Sequence, residues 1–431
     1  MTAAGGTSRR VAGRLIRFGL PGAFALLLLV VTIAVFVSSR PIAAARRGGW
    51  VTSWSASPQT ATPWTLAAAG FDDQTLREII FPSVGGDLVR LVLTNVFGTS
   101  ALLIGHVTVA LAGLGASVVP GTIHPVTFAG RPSVRIPAGQ QVLSDPVLIH
   151  VPALQDLAVS VYLPDRTGQA TLHSAAQQVN WVSAAGDHAA EAGSGAFTAA
   201  IPSWYYVSGL LVQPPGPAGT VVAFGDSITD GVQSTVGGND RWPNDLARRL
   251  DGPPGTTLAV ADEGIGGNRV LTGSGCCGAS ALARFARDAL DQPGVRDVIV
   301  LEGINDIGFS AGRPNSDAEV SAAQLIAGYE QLIARAHARN LRIFGATLLP
   351  FEGAGDYTPA GEATREAVNT WIRTSRAFDG VVDFDTAMRD PADPLRLNPA
   401  YDSGDHLHPN DAGYQAMADA VNLTMLLPPP P

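Results

Sequence analysis

Between residues 50 and 205 the apolar positions fall in short runs, each closed by a Gly, Pro or Asp turn. Val89-Arg90-Leu91-Val92-Leu93, Val107-Thr108-Val109-Ala110 and Leu157-Ala158-Val159-Ser160-Val161-Tyr162-Leu163 are rich in β-branched residues, and Gly85-Gly86-Asp87, Pro120-Gly121 and Pro164-Asp165 punctuate them. Short strands with recurrent turns predict an antiparallel β-sandwich-like domain. At Pro214-Pro215-Gly216-Pro217 the pattern changes. Buried-type apolar runs at 221–224, 258–261, 298–301, 342–347 and 381–384 now alternate with helical patterns at 244–250, 280–290, 319–339, 362–378 and from 411 onward. Strict β–α alternation predicts a parallel sheet with helices on both faces. The chain therefore divides into a leading segment (1–47), a β-rich domain (48–210) and an α/β domain (218–427), with a polyproline end at Pro428-Pro429-Pro430-Pro431.

The leading segment changes the picture of where the body works. Residues 18–37 form an apolar stretch with four Arg before it and three after, long enough for a hydrocarbon core of roughly 30 Å. One reading is an uncleaved signal anchor oriented by the arginines. The other is a signal peptide cleaved near Ala43-Ala44-Ala45. The apolar run is longer than the usual signal-peptide core, which favours the anchor, and either reading exports the body.

Composition sharpens this division. The formal net charge is −9, all 28 basic residues are Arg, and seven of them lie in the first 47 residues, where there is no acid. Residues 48–431 carry 21 Arg against 37 acidic side chains, a net −16. An acidic body excludes a nucleic-acid-binding role, which needs a basic footprint.

Candidate chemistry gathers at the ends of the predicted parallel strands. The first runs into Gly225-Asp226-Ser227-Ile228-Thr229-Asp230-Gly231, the second into Gly264-Ile265-Gly266-Gly267-Asn268-Arg269, and the third into Gly303-Ile304-Asn305-Asp306. Near the end of the chain stands Asp405-His406-Leu407-His408-Pro409. Ligands of a parallel α/β sheet bind beyond the carboxyl ends of its strands. A Ser on such a turn read alone is a helix N-cap. Together the four segments supply a nucleophile, a base, an orienting acid and oxyanion donors.

In these four blocks the sequence resembles the SGNH, or GDSL-type, serine esterases and lipases, over about residues 220–420. The resemblance implies a flavodoxin-like three-layer α/β/α domain. It makes Ser227 the nucleophile, His408 the general base and Asp405 the residue that orients the imidazole. The backbone N–H groups of Ser227 and Gly267 and the Asn305 side chain would form the oxyanion hole. Each role is chemically coherent. Serine needs an adjacent base, histidine exchanges a proton near neutrality, glycine leaves room for its N–H to approach substrate, and asparagine offers an uncharged donor.

The expected activity is hydrolysis of carboxylic esters through an acyl-enzyme, on a small-molecule, glycan or lipid ester, with no cofactor and no metal. The alternatives are acyl transfer to a sugar or alcohol, and an inactive cell-surface protein that binds glycan. Trp242, Arg269 and His173 are candidate substrate-binding residues. Trp242 is equally explained as packing at a helix start beside Pro243, and Arg269 as a partner for an acid.

Other motifs are weighed and set aside. Gly308-Phe309-Ser310-Ala311-Gly312 has the form of a nucleophile elbow but lacks the strand that should run into Ser310. His406 and His408 lack further ligands for a metal, Asp306 reads as a structural carboxylate, and Asp402 is an alternative orienter. Cys276 and Cys277, the only cysteines, are adjacent in a glycine-rich loop, and form either a vicinal disulfide or two unpaired thiols. The same loop matches G-x-G-x-x-G with no strand feeding it, which argues against a dinucleotide site.

Overall fold

A computed structural model describes residues 49–63, 65–251, 257–309 and 319–427. The apolar stretch 18–37, Ser310 and the proline tail lie outside the described residues. Among the described residues no helix is long and apolar enough to cross a membrane.

The β-rich part is built on two large antiparallel sheets packed face to face, with a small three-stranded sheet (Trp204–Tyr205, Thr171–His173, Gln59–Thr60) and a two-stranded one (Leu102–Ile104, Val134–Ile136) beside them. In one large sheet, Val51–Ser55, Val207–Val212, Gly86–Thr94 and Val147–Val151 lie side by side in that order, with Gln141–Leu143 also paired to Gly86–Thr94. The other large sheet has the order Phe197–Ile201, Asn180–Ala185, Gln74–Ile80, Leu157–Leu163, His106–Leu111, His124–Val126. Alternate side chains, among them Leu91, Leu93, Val107, Val109, Val159, Val161 and Leu210, are fully buried between the sheets.

The second part holds five parallel strands: β1 (Ala218–Gly225), β2 (Thr257–Gly264), β3 (Val295–Leu301), β4 (Arg342–Ala346) and β5 (Gly380–Val382). Their order is β2-β1-β3-β4-β5, the flavodoxin-like arrangement. Val221 to Phe224 and Val298 to Leu301 are almost wholly buried, as strands covered on both faces must be. Helices Trp242–Leu250, Ala322–His337, Pro359–Thr374 and Asp411–Ala420 flank the sheet. Their starts are set by local chemistry. Ser321 and Gln324 form a reciprocal capping box, and Thr358 caps a helix with Pro359 in its first turn. The helical pattern at 280–290 resolves into Ala281–Phe285 followed by a wider turn over Ala286–Leu290. Four short helices, Ser227–Asp230, Ile304–Gly308, Phe384–Met388 and Leu423–Leu426, complete the described part of the domain.

The two parts share a polar boundary. Thr52 N–H donates to Thr220 Oγ1 at 3.0 Å, Val260 N–H to Ser83 Oγ at 2.9 Å, and Ser55 Oγ to the Asp262 carbonyl at 3.2 Å. The strand Val51–Ser55 thus lies against the parallel sheet, and the β-rich part reaches the back of the loops described next.

Candidate active site

The site begins at the switch point of the sheet, where β2 and β3 leave β1 on opposite sides. Gly225 ends β1 and pairs with Gly264 and Leu301 across both neighbours. The chain turns at once into the single-turn helix Ser227–Asp230. Asp226 caps it by accepting from Ile228 N–H at 3.0 Å, and Gly231 ends it at φ 84°. Ser227 is 6% exposed.

His408 arrives from the loop before the helix Asp411–Ala420. Its Nε2 lies 2.8 Å from Ser227 Oγ, and its Nδ1 lies 2.6 Å from Asp405 Oδ2. An ionised carboxylate only accepts, so Nδ1 carries the proton and bare Nε2 accepts from the serine hydroxyl. Asp405 Oδ1 accepts the backbone N–H groups of Leu407 and His408 at 3.0 and 2.8 Å. Partial burial alone would raise its pKa, but these donors and the imidazole hold it down to about 2.

The turn after β2 supplies the second component. Asn268 N–H donates to the Ile265 carbonyl at 3.0 Å, with Gly267 at φ 72° between them. That dihedral favours glycine, and a Cβ at Gly267 would lie 2.8 Å from Cys277 Sγ. Asn305, in the first turn after β3, donates through Nδ2 to the Asn268 carbonyl at 3.0 Å, which ties its amide to the same turn and leaves its second amide hydrogen to serve another acceptor. Asp306 accepts Val270 and Leu271 N–H at 2.7 and 3.1 Å, so its carboxylate anchors the chain that follows the turn.

Other sequence candidates fall elsewhere. Trp242 is fully buried, with its ring 5.5 Å from Phe384, and belongs to the core at the helix start because the preceding loop directs it inward. His173 is 4% exposed and bonded to Asp230 behind the catalytic loops, so it has no face open to substrate. Arg269 lies over the Phe309 ring at 5.9 Å. Asp402 pairs with His406 at 2.6 Å and leaves His408 to Asp405. Cys276 and Cys277 are joined to each other, in a hairpin-like turn closed by Ser274 and Gly278. Among the described residues no group of three or more His, Cys, Asp or Glu is placed to hold a metal.

Two residues missed from the sequence organise the site from behind. Asp230, three residues after Ser227, accepts Gly266 N–H at 3.1 Å through Oδ2. Arg284, 1% exposed, donates to the Gly225 carbonyl at 2.8 Å, the Glu263 carbonyl at 2.7 Å and Asn268 Oδ1 at 2.9 Å. Asp230 stood inside a quoted motif and its offset from Ser227 was the available signal. Arg284 sits on a helix of ordinary pattern and gave none.

The buried carboxyls around these loops fix how the fold responds to pH. Burial pushes Asp262 up to about 7 and Asp306 up to about 6, and raises Asp226, Glu263 and Glu302 as well. Each folded value lies above the ordinary carboxyl value of about 4, so its stabilisation is complete below that pH and is lost as pH climbs through 6 to 7. Asp383 and Asp405 run the other way. Arg373 and backbone donors outweigh burial at Asp383 and hold it near 2, as at Asp405, so their contribution is present above pH ~4 and is lost as pH falls towards 2. Calorimetry should therefore find a higher thermal midpoint at pH 5 than at pH 8, and an equal or lower midpoint at pH 5 would contradict the burial argument.

A Ser–His–Asp line at the carboxyl edge of a parallel sheet, beside a glycine turn and a tethered asparagine, defines the acyl-hydrolase class of site. Residues 223–416, a little under half of the chain, match the family model described as GDSL-like Lipase/Acylhydrolase family. No curated protein matches the chain. Solved structures similar to it include a variant of an acetyl xylan esterase from Geobacillus stearothermophilus (22% identity, TM-score 0.39, covering 49% of this chain and 95% of that one). Another is an α/β hydrolase from the metagenome of Lake Arreo (22% identity, TM-score 0.38, covering 49% and 96%). A third is a GDSL-like lipase from Bacteroides thetaiotaomicron (19% identity, TM-score 0.33, covering 48% and 87%).

Proposed function

We propose that the chain is an exported carboxylic ester hydrolase that works through an acyl-enzyme on Ser227, and that short acyl esters of small molecules or glycans are its substrates. The observation that carries this reading is the continuous hydrogen-bonded line from Ser227 Oγ through His408 to Asp405, with both bonds at 2.8 Å or less. In the first half-reaction Nε2 takes the Ser227 proton as Oγ attacks the ester carbonyl. The Ser227 and Gly267 N–H groups and the Asn305 amide receive the developing oxyanion. The imidazolium, held by Asp405, then gives its proton to the leaving alcohol. Water enters by the same base in the second half, and releases the acid.

Export is supported by the arginine-flanked apolar stretch at 18–37, which also makes an N-terminal membrane tether the favoured arrangement. The net charge of −16 on the body favours neutral esters over anionic lipid surfaces.

A fluorophosphonate probe with the full chain tests the mechanism. One equivalent should add covalently to Ser227, detected by peptide mass spectrometry, in step with loss of p-nitrophenyl acetate turnover. Labelling of another serine, or turnover that survives complete labelling, would reject it. A series of p-nitrophenyl acyl esters run beside acetylated xylan, with and without an added alcohol acceptor, then reads chain length, glycan preference and transfer.

A further inference from the structure

Among the side chains that the β-rich part buries behind the loops of the candidate site is His173. His173, from the strand Thr171–His173, directs Nδ1 at the Ser57 carbonyl, 3.0 Å away, and Nε2 at Asp230 Oδ1, also 3.0 Å away. A carbonyl oxygen can only accept, so Nδ1 carries a hydrogen. The remaining bond, between Nε2 and the carboxylate, then holds one further proton shared by the pair. Burial alone would strip charge from this imidazole, but Asp230, with the Ser57 carbonyl and Asp262, outweighs it and raises the affinity of His173 for its proton.

The other oxygen of the same carboxylate grips the turn that presents Gly267. Asp230 Oδ2 accepts Gly266 N–H at 3.1 Å. Asp230 is itself held in the Ser227 turn, its N–H donating to the Asp226 carbonyl at 2.9 Å, and its own carbonyl accepts Arg241 Nε at 3.0 Å. One side chain therefore links the nucleophile turn to the oxyanion turn, and His173 sets its orientation from the neighbouring domain. A small pocket beside His173, lined by Trp54, Trp204, Arg241 and Asp262, has a volume of about 20 Å³, room for a water.

We propose that His173 is a positioning residue of the hydrolase: through Asp230 it holds the Ile265–Gly266 peptide and so sets the next peptide, which carries the Gly267 N–H, and the β-rich domain thereby completes the oxyanion hole of its neighbour. This rests on the ester-hydrolase reading above and deepens it. Misplacement of one oxyanion donor by a fraction of an ångström lowers turnover while leaving ground-state binding in place.

Two isosteric substitutions separate this role from simple domain glue. In His173→Gln the amide nitrogen replaces Nε2 and keeps the bond to Asp230. In His173→Asn it replaces Nδ1, keeps the bond to Ser57 and cannot reach Asp230. With p-nitrophenyl acetate and the full chain, His173→Asn should lower kcat about 10- to 100-fold with KM within about twofold. Its Ki for phenylboronic acid, which forms a tetrahedral adduct on the serine, should rise by a similar factor. His173→Gln should recover most of both. The proposal is overturned if His173→Asn keeps kcat and Ki within about twofold of the unsubstituted protein, if the two variants lose activity equally, or if neither folds, which would make the link one of folding alone. Ser227→Ala run in parallel keeps the questions apart. Turnover that does not depend on Ser227 rejects the hydrolase reading itself, whereas Ser227-dependent turnover untouched by His173→Asn rejects only the positioning role.

Discussion

Ser227→Ala is expected to lower kcat for p-nitrophenyl acetate by about a millionfold, with KM little changed. The size follows from how the site is built. Ser227 Oγ is the atom on which His408 Nε2 acts, at 2.8 Å, and removing it also strands the imidazole that Asp405 has oriented. The oxyanion donors survive the substitution, so a residue of about a thousandfold over uncatalysed hydrolysis should persist, supplied by polarisation and binding alone. The fold should not suffer, because alanine keeps the helix turn and loses only a hydroxyl bonded to His408. Measuring turnover with active-site titration and a thermal melt of both proteins decides the matter. More than about one per cent of the original kcat in a folded Ser227→Ala protein would remove Ser227 from the mechanism.

The second large effect should fall on stability. Arg284→Met is expected to destabilise the protein by about 3–5 kcal/mol, a fall in thermal midpoint on the order of 10 °C. Arg284 is buried over the Phe224 ring and donates to two backbone carbonyls, Asn268 and Ser57, while also facing Asp288 and Glu302. Methionine fills the stem but leaves the Gly225 and Glu263 carbonyls without this donor. The carboxyls soften the loss, since burial already raises Glu302 and Glu263 and lets them take up a proton in place of the lost cation. The destabilisation should therefore shrink at pH 5 relative to pH 8. A midpoint shift below about 2 °C would show that the arginine merely occupies space.

How much of this was legible in the sequence differs between the two halves of the problem. The parallel sheet was readable because strands buried on both faces are continuous apolar runs, as at Val221 to Phe224, and because each helix between them carries its own start signal. Ser227, His408 and Asp405 were singled out by the resemblance to GDSL-type esterases, and the fold brings these three side chains within hydrogen-bond distance of one another. The boundary between the domains was not readable. Its contacts are polar side chains such as Thr52 and Ser55 on a strand and Ser57 and Ser83 in loops, which look like solvent-facing positions until a second domain covers them. His173 was a candidate for substrate binding only as a β-domain residue able to reach the cleft. Its true partner, Asp230, is 57 residues away, and no local period connects them. Trp242 failed for a related reason, since closeness in sequence to Ser227 says nothing about which way a helix turns its first residue.

The order of the first β-sheet has a consequence for how the chain comes to fold. Val207–Val212, the last strand of its sheet to be synthesised, does not sit at an edge: it lies between Val51–Ser55, the first, and Gly86–Thr94. Until residue 212 has emerged from the ribosome, Val51–Ser55 has no partner within its own sheet and Gly86–Thr94 presents an unpaired flank. The β-rich domain must therefore assemble late and by long-range closure, a slow topology that leaves apolar strand edges open to association while the chain is still growing.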